Sequence, residues 1–162
     1  MKTLPLVSLI AALGVAVSAS AQDRQAFVSA AAQDGMTEVE LGKMASSKSQ
    51  RSDVKEFADR MVQDHGKANS ELEALAKSKN LQVPKKLDAE HQSMVDRLRS
   101  KSGTEFDTSY AQHMAADHAK AITLFEDATK LEDKDISAFA QKTLPTLKEH
   151  KRMADRLNAR QE

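Results

Sequence analysis

Four long stretches of this chain carry apolar residues at alternating steps of four and three, the spacing that lines one face of an α-helix. The clearest runs Val54, Ala58, Met61, His65, Ala68, Leu72, Leu75. The periodicity predicts helices over Asp23 to Ser46, Asp53 to Ser78, Thr104 to Leu131 and Asp135 to Ala159. At 1.5 Å per residue these are rods about 36 to 42 Å long, each with one face that must be covered. Four such faces predict an all-α four-helix bundle. Between the second and third helices, Asn80 to Gly103 is too long for a tight hairpin. It holds Val83-Pro84 and then Leu87, Met94, Val95 and Leu98, which suits a short extra helix crossing the bundle. A long connection at that place is the mark of the ferritin-like variant.

Local signals refine these limits. Asp53 with Glu56 and Thr104 with Asp107 have the spacing of capping boxes. Asp34-Gly35 is a candidate break in the first helix, with Thr37 and Glu40 able to cap a restart, but one continuous helix is the expectation. Pro145 lies inside the fourth helix and should bend it.

The first 21 residues differ in kind. Lys2 is their only charge, Leu6 to Val17 is almost entirely apolar, and Ser18-Ala19-Ser20-Ala21 follows. An apolar core this short falls below the about 20 residues that span a bilayer, and Ala19-x-Ala21 is a signal-peptidase pattern. The expectation is a cleaved signal peptide over 1–21 and a helical domain over 22–162, periplasmic or secreted. No spanning segment is left in the mature part. With 24 Lys+Arg against 24 Asp+Glu there is no basic excess to bind nucleic acid. The absence of Cys removes disulfides, thiolate metal sites and thiol nucleophiles. No nucleophile elbow, Gly-rich phosphate loop or HExxH is present.

The informative feature is what interrupts the stripes. His65, His118 and His150 each stand mid-helix on an apolar face, and Glu38 does the same on the first helix, with Asp34 near it. All four predicted helices therefore direct a potential ligand toward the axis at similar height. Met61 to Ala68 (MVQDHGKA) and Met114 to Ala121 (MAADHAKA) match in Met, Asp, His, Lys and Ala. Asp64 and Asp117 each precede their His by about 100° of helix, so each faces a neighbouring helix, where a carboxylate could orient an imidazole. Unpartnered, such buried groups would cost a few kcal/mol each, so they must bond one another or hold an ion. Both readings stay open. For an ion, Glu38, His65, His118 and His150 are the candidate ligands, with Asp34, Asp64, Asp117, Met61 and Met114 as supporting or alternative ones. Imidazole and carboxylate suit Zn, Fe, Mn or Cu(II), and the thioethers would add Cu(I). Core filling is the commoner reading of Met61 and Met114. His91 and His113 fall off the stripes and read as surface residues, and Tyr110 as a core aromatic with its hydroxyl near a surface.

The segments EVELGKMA (Glu38 to Ala45), FADRMVQDH (Phe57 to His65), FDTSYAQHMAADH (Phe106 to His118) and FAQKTLPTLKEH (Phe139 to His150) resemble an exported bacterial ferritin-like family of unknown function, often labelled as outer membrane proteins. The resemblance spans the mature chain and implies a ferritin-like bundle in the periplasm or envelope. The chain departs from the wider ferritin-like pattern, which takes Glu-x-x-His from two helices. Val62 stands three before His65 and Leu147 three before His150, so carboxylates are too few for a di-iron oxidase. The expectation is a binding protein for one transition-metal ion, serving metal handling or envelope stress response. The alternative is a non-catalytic structural or interaction module with a buried His/Asp network. A metal-dependent oxidoreductase is a third, weaker option, and a homo-oligomer or an envelope partner is left open.

Overall fold

The computed structural model describes residues 19–160. The predicted export signal lies outside them but for Ala19, Ser20 and Ala21, which are helical. The described chain forms α1 (Ala19–Lys48), α2 (Ser52–Ser78), α3 (Ala89–Arg99), α4 (Gly103–Ala128) and α5 (Lys134–Ala159). Four are the long amphipathic rods and α3 is the short helix of the connection.

Two apolar clusters show how the rods run. One gathers Leu41 and Ala45 of α1, Val54 to Met61 of α2, Phe106 to Met114 of α4, and Ala154 and Leu157 of α5. The other gathers Phe27 to Ala32, Leu72 and Ala76, Ala121 to Ala128, and Ile136 to Leu147. Helices α1 and α5 pass from the second cluster to the first, and α2 and α4 the opposite way. Helix α1 packs on α2 and α4, and α5 on α2 and α4, so every adjacent pair is antiparallel. The parallel α2 and α4 need a return crossing, and residues 79–102 supply it. Helix α3 lies over α1 and α4, where Val95 and Leu98 bury into the first cluster.

The expected capping boxes do not form. Helix α2 starts after Arg51 and α4 after Ser102, neither with a side-chain cap bond. Both helices begin earlier than the boxes require, so the candidate caps fall inside the first turn. Asp53 accepts from its neighbour Val54 N and pairs with Arg51 and Arg160 instead, while Asp107 is buried. The caps that do form are Asp88 on α3 and Asp133 on α5, which accept backbone amides of their helices. Helix α1 runs unbroken through Asp34 and Gly35, and the Thr37 hydroxyl donates to the Gln33 carbonyl. Helix α5 continues through Pro145.

Candidate metal centre

Between the two apolar clusters lies one polar layer, made by a single position on each long helix. Glu38, His65, His118 and His150 are buried there, with exposures of 1, 6, 0 and 0%. Each follows one apolar block on its helix and precedes the next, which is why all four reach the axis at one height.

The geometry fixes where the imidazole protons sit. His65 Nδ1 stands 2.8 Å from Glu38 Oε2 and donates to it. His118 Nδ1 donates to the Met114 carbonyl at 2.9 Å. His150 Nε2 donates to Asp64 Oδ2 at 3.0 Å. Each ring thus has its proton on the outer nitrogen. The inner nitrogens face one another, bare when each ring is neutral, and a second proton on His65 would sit on its Nε2. His65 Nε2 lies 3.2 Å from His150 Nδ1, and His118 Nε2 lies 3.3 Å from the same atom. The three rings offer ligand atoms within 4.8 Å of one another, and no other such group of His, Asp or Glu occurs among the described residues.

A divalent ion bound tetrahedrally through nitrogen at about 2.0–2.1 Å holds its ligand atoms about 3.3–3.4 Å apart. The two separations from His150 Nδ1, 3.2 and 3.3 Å, fit that spacing, and the third pair lies within 4.8 Å. On the outer side of the rings, Glu38 Oε1 is buried without a hydrogen bond. It lies 3.3 Å from His118 Nδ1, whose proton is already given to Met114. The Glu38 carboxylate therefore keeps one acceptor oxygen unmet behind the rings, beside the His65 proton that its other oxygen accepts. A space of about 20 Å³ borders Glu38 and His65, room for about one water molecule.

A family model described as a domain of unknown function (DUF4142) matches residues 12–157. The chain belongs to that family. The DUF4142 chain is also similar to a solved structure, a DUF305 fragment from Deinococcus radiodurans. The two share 14% identity with a TM-score of 0.76, covering 85% of this chain and 96% of that one. At that identity the likeness shows the helical-bundle fold alone. Among curated proteins, none matches the DUF4142 chain.

The structure redistributes several candidate residues. Glu38 stands behind the rings, on their outer nitrogens, rather than among the converging ones. Burial by itself would raise its carboxyl, but His65 and His118 beside it hold it down at about 2. Burial would lower the His65 imidazole, yet Glu38 pulls it above its ordinary value. Burial and the neighbouring His65 push His150 down to about 4. Asp64 reaches across to α5 and orients His150, as its angle on the helix suggested.

Asp117, its counterpart in the repeated MxxDHxKA pattern, orients no imidazole. Helix α2 turns its Asp toward α5, which offers His150; α4 turns its Asp toward α1, which offers the acids Asp34 and Glu38 at that level. Burial and the nearby Glu38 push the Asp117 carboxyl up. Asp34 pairs with His91 Nε2 at 3.2 Å instead of joining the inner nitrogens. Burial, Asp117 and Glu38 push it up to about 6. Met61 and Met114 are fully buried members of the first apolar cluster, and Met114 serves His118 through its carbonyl.

Three expectations about exposure fail. His91 is half-buried against α1, because the crossing α3 carries it onto Asp34. His113 has its Nε2 buried without a partner, and Tyr110 has its hydroxyl in the same condition. A helical wheel measures each helix alone and is blind to the cover that α3 provides. The turn-apart spacing of His113 and Asp117 was the one available signal.

Proposed function

We propose that this protein binds one transition-metal ion at mid-bundle through His65 Nε2, His118 Nε2 and His150 Nδ1, with Glu38 and Asp64 fixing the rings from behind. The carrying observation is the meeting of three inner nitrogens whose outer nitrogens all donate elsewhere. An added proton on His65 would bond it to His150, but would leave His118 Nε2 and His150 Nδ1 lone pair against lone pair. A cation satisfies all three. Glu38 behind the rings offsets part of a divalent charge, with Asp64 adding less because Arg60 already pairs with it, and a carboxylate on the far nitrogen raises the basicity of a metal-binding imidazole. Imidazole donors suit Zn, Cu(II), Fe and Mn rather than Ca or Mg.

The export signal read in the sequence supports a place outside the cytoplasm, in metal handling or envelope stress response. No helix among the described residues is long and apolar enough to cross a membrane.

A second reading has its own support in the Glu38–His65 contact, where a charged pair would tie α1 to α2 without an ion. Titration of tag-free protein with Zn, Cu, Mn and Fe separates the two. One equivalent per chain at the imidazoles is expected, with stabilisation of about 2.7 kcal/mol when free metal is 100 times Kd. His65→Ala with His118→Ala should abolish both effects. Wild-type protein whose melting is unmoved by every one of these metals would leave the hydrogen-bonded network as the answer.

A further inference from the structure

The central layer leaves several buried ionisable groups of α1 and α4 unused, and they collect in one place. A cavity of about 280 Å³ opens between α1, α3 and α4, and its walls carry Asp34, Glu90, His91, His113, Asp117 and Lys120. Three carboxylates and two imidazoles thus face a single ammonium. His91 is satisfied, since its Nδ1 lies 2.8 Å from Asp88 and its Nε2 3.2 Å from Asp34. His113 is not: its Nε2 is buried with no hydrogen-bond partner, one helical turn from Asp117 in the same wall. Lone pairs on nitrogen and oxygen, under net negative charge and with one imidazole unanswered, form a donor set for a cation.

The cavity also has a position relative to the imidazole layer. Asp34 lines it and also lines the small space that borders Glu38 and His65. One carboxylate is therefore a shared wall between the solvent-facing cavity and the mid-bundle layer. The opening on the far side sets Asp64 and Glu71 against Lys67 and Lys142, with Lys142 paired to Glu71 at 2.7 Å, so its charges balance where those of the first cavity do not.

We propose that this cavity is an outer site for a divalent cation, held by His113 and Asp117 of α4 with Asp34 of α1, and that it loads the imidazole layer across Asp34. The loading step rests on the metal reading of that layer; the outer site does not. Mixed imidazole and carboxylate donors suit Zn, Mn, Fe(II) or Co(II). The gathered trio of inner nitrogens has no counterpart here among the described residues. The outer donors stand farther apart, which fits a weaker, partly hydrated site that gives up its ion.

Calorimetric titration of the tag-free chain with Zn²⁺ and Co²⁺, with stopped-flow filling followed by the Co²⁺ absorption spectrum, tests this. Wild type should show a tight and a weak class of site. His65→Ala with His118→Ala should lose the tight class and keep the weak one. His113→Ala with Asp117→Asn should lose the weak class and slow filling of the tight one by about tenfold or more, the scale of electrostatic steering. Because Asp117 adjoins His118, the single change His113→Ala must act in the same direction. It also serves if the His65/His118 variant does not fold. One class only, lost in the His65/His118 variant and filled at an unchanged rate in His113→Ala, overturns the outer site and leaves the central metal reading intact. A weak class alone, kept in the His65/His118 variant, supports the outer site and removes the central one. No binding by wild type overturns both.

Discussion

Each imidazole of the central layer has an acceptor fixed behind it, and these acceptors differ in kind. His118 is held by a backbone carbonyl of its own helix, a contact mutation cannot remove. His65 and His150 depend on carboxylates from other helices. Glu38→Gln should therefore weaken metal binding by about 10–100-fold, since it removes the charge and half the acceptor capacity behind His65. Asp64→Asn should act in the same direction but less strongly, because Asp64 is partly exposed and already paired with Arg60. A competition titration against a coloured chelator would read both. Affinity equal to wild type in Glu38→Gln would show that the carboxylate does not position the ring for metal. At this scale the sequence was a good guide where a residue's own helix sets its environment. His65, His118 and His150 were legible because an apolar stripe interrupted by a polar group is a local pattern. His113 and His91 were not, because the helix that covers them comes from a different part of the chain.

Among the helices, α1 and α2 approach closely at Gly42. A Cβ there would stand 2.9 Å from Val62 Cγ2 and 3.0 Å from the Ala58 carbonyl oxygen. The carbonyl belongs to the α2 backbone and cannot step aside, so Gly42→Ala should force α1 outward and cost about 1–3 kcal/mol. Gly35 makes the opposite case on the same helix. The Cβ would meet only the end of the Asn69 side chain, which can rotate away, and alanine gains about 1 kcal/mol of helix propensity over glycine. Gly35→Ala should thus leave the thermal midpoint unchanged or raise it, while Gly42→Ala lowers it. Equal midpoints for the two variants would contradict the close approach. The sequence showed that these elements were helices, since period and length are properties of each segment. It misplaced the starts of α2 and α4, because a cap depends on which residue leaves helical geometry. Good capping residues inside a first turn look the same in sequence as at its edge.

At the level of the whole bundle, one side chain ties three elements together. The Asp133 carboxylate caps α5 through the amides of Asp135 and Ile136, and it receives Arg24 of α1 and Lys79 at the end of α2. Burial would raise its carboxyl, but the Lys79 ammonium, the Ile136 amide and Arg24 hold it down at about 2. A carboxyl lowered in the folded state adds stability that is full above its ordinary value of 3.8 and is lost as pH falls toward 2. Asp133→Ala should cost about 1–2 kcal/mol at neutral pH from the cap alone. It should also flatten the loss of stability between those two pH values, measured as denaturation midpoints across the acid range. Such long-range ties have no signature in the chain, because Arg24, Lys79 and Asp133 are far apart in it. What could be read from residue order was whatever repeats along one axis: four apolar faces, a polar interruption in each, a long second connection, and so a ferritin-like bundle with histidines at one level. Residue order did not say which nitrogen of each ring points inward, that Glu38 stands behind the imidazoles, or that α3 roofs a second polar cavity. Those depend on the rotation and crossing of packed helices, and the packing is settled jointly by side chains that only folding brings into contact.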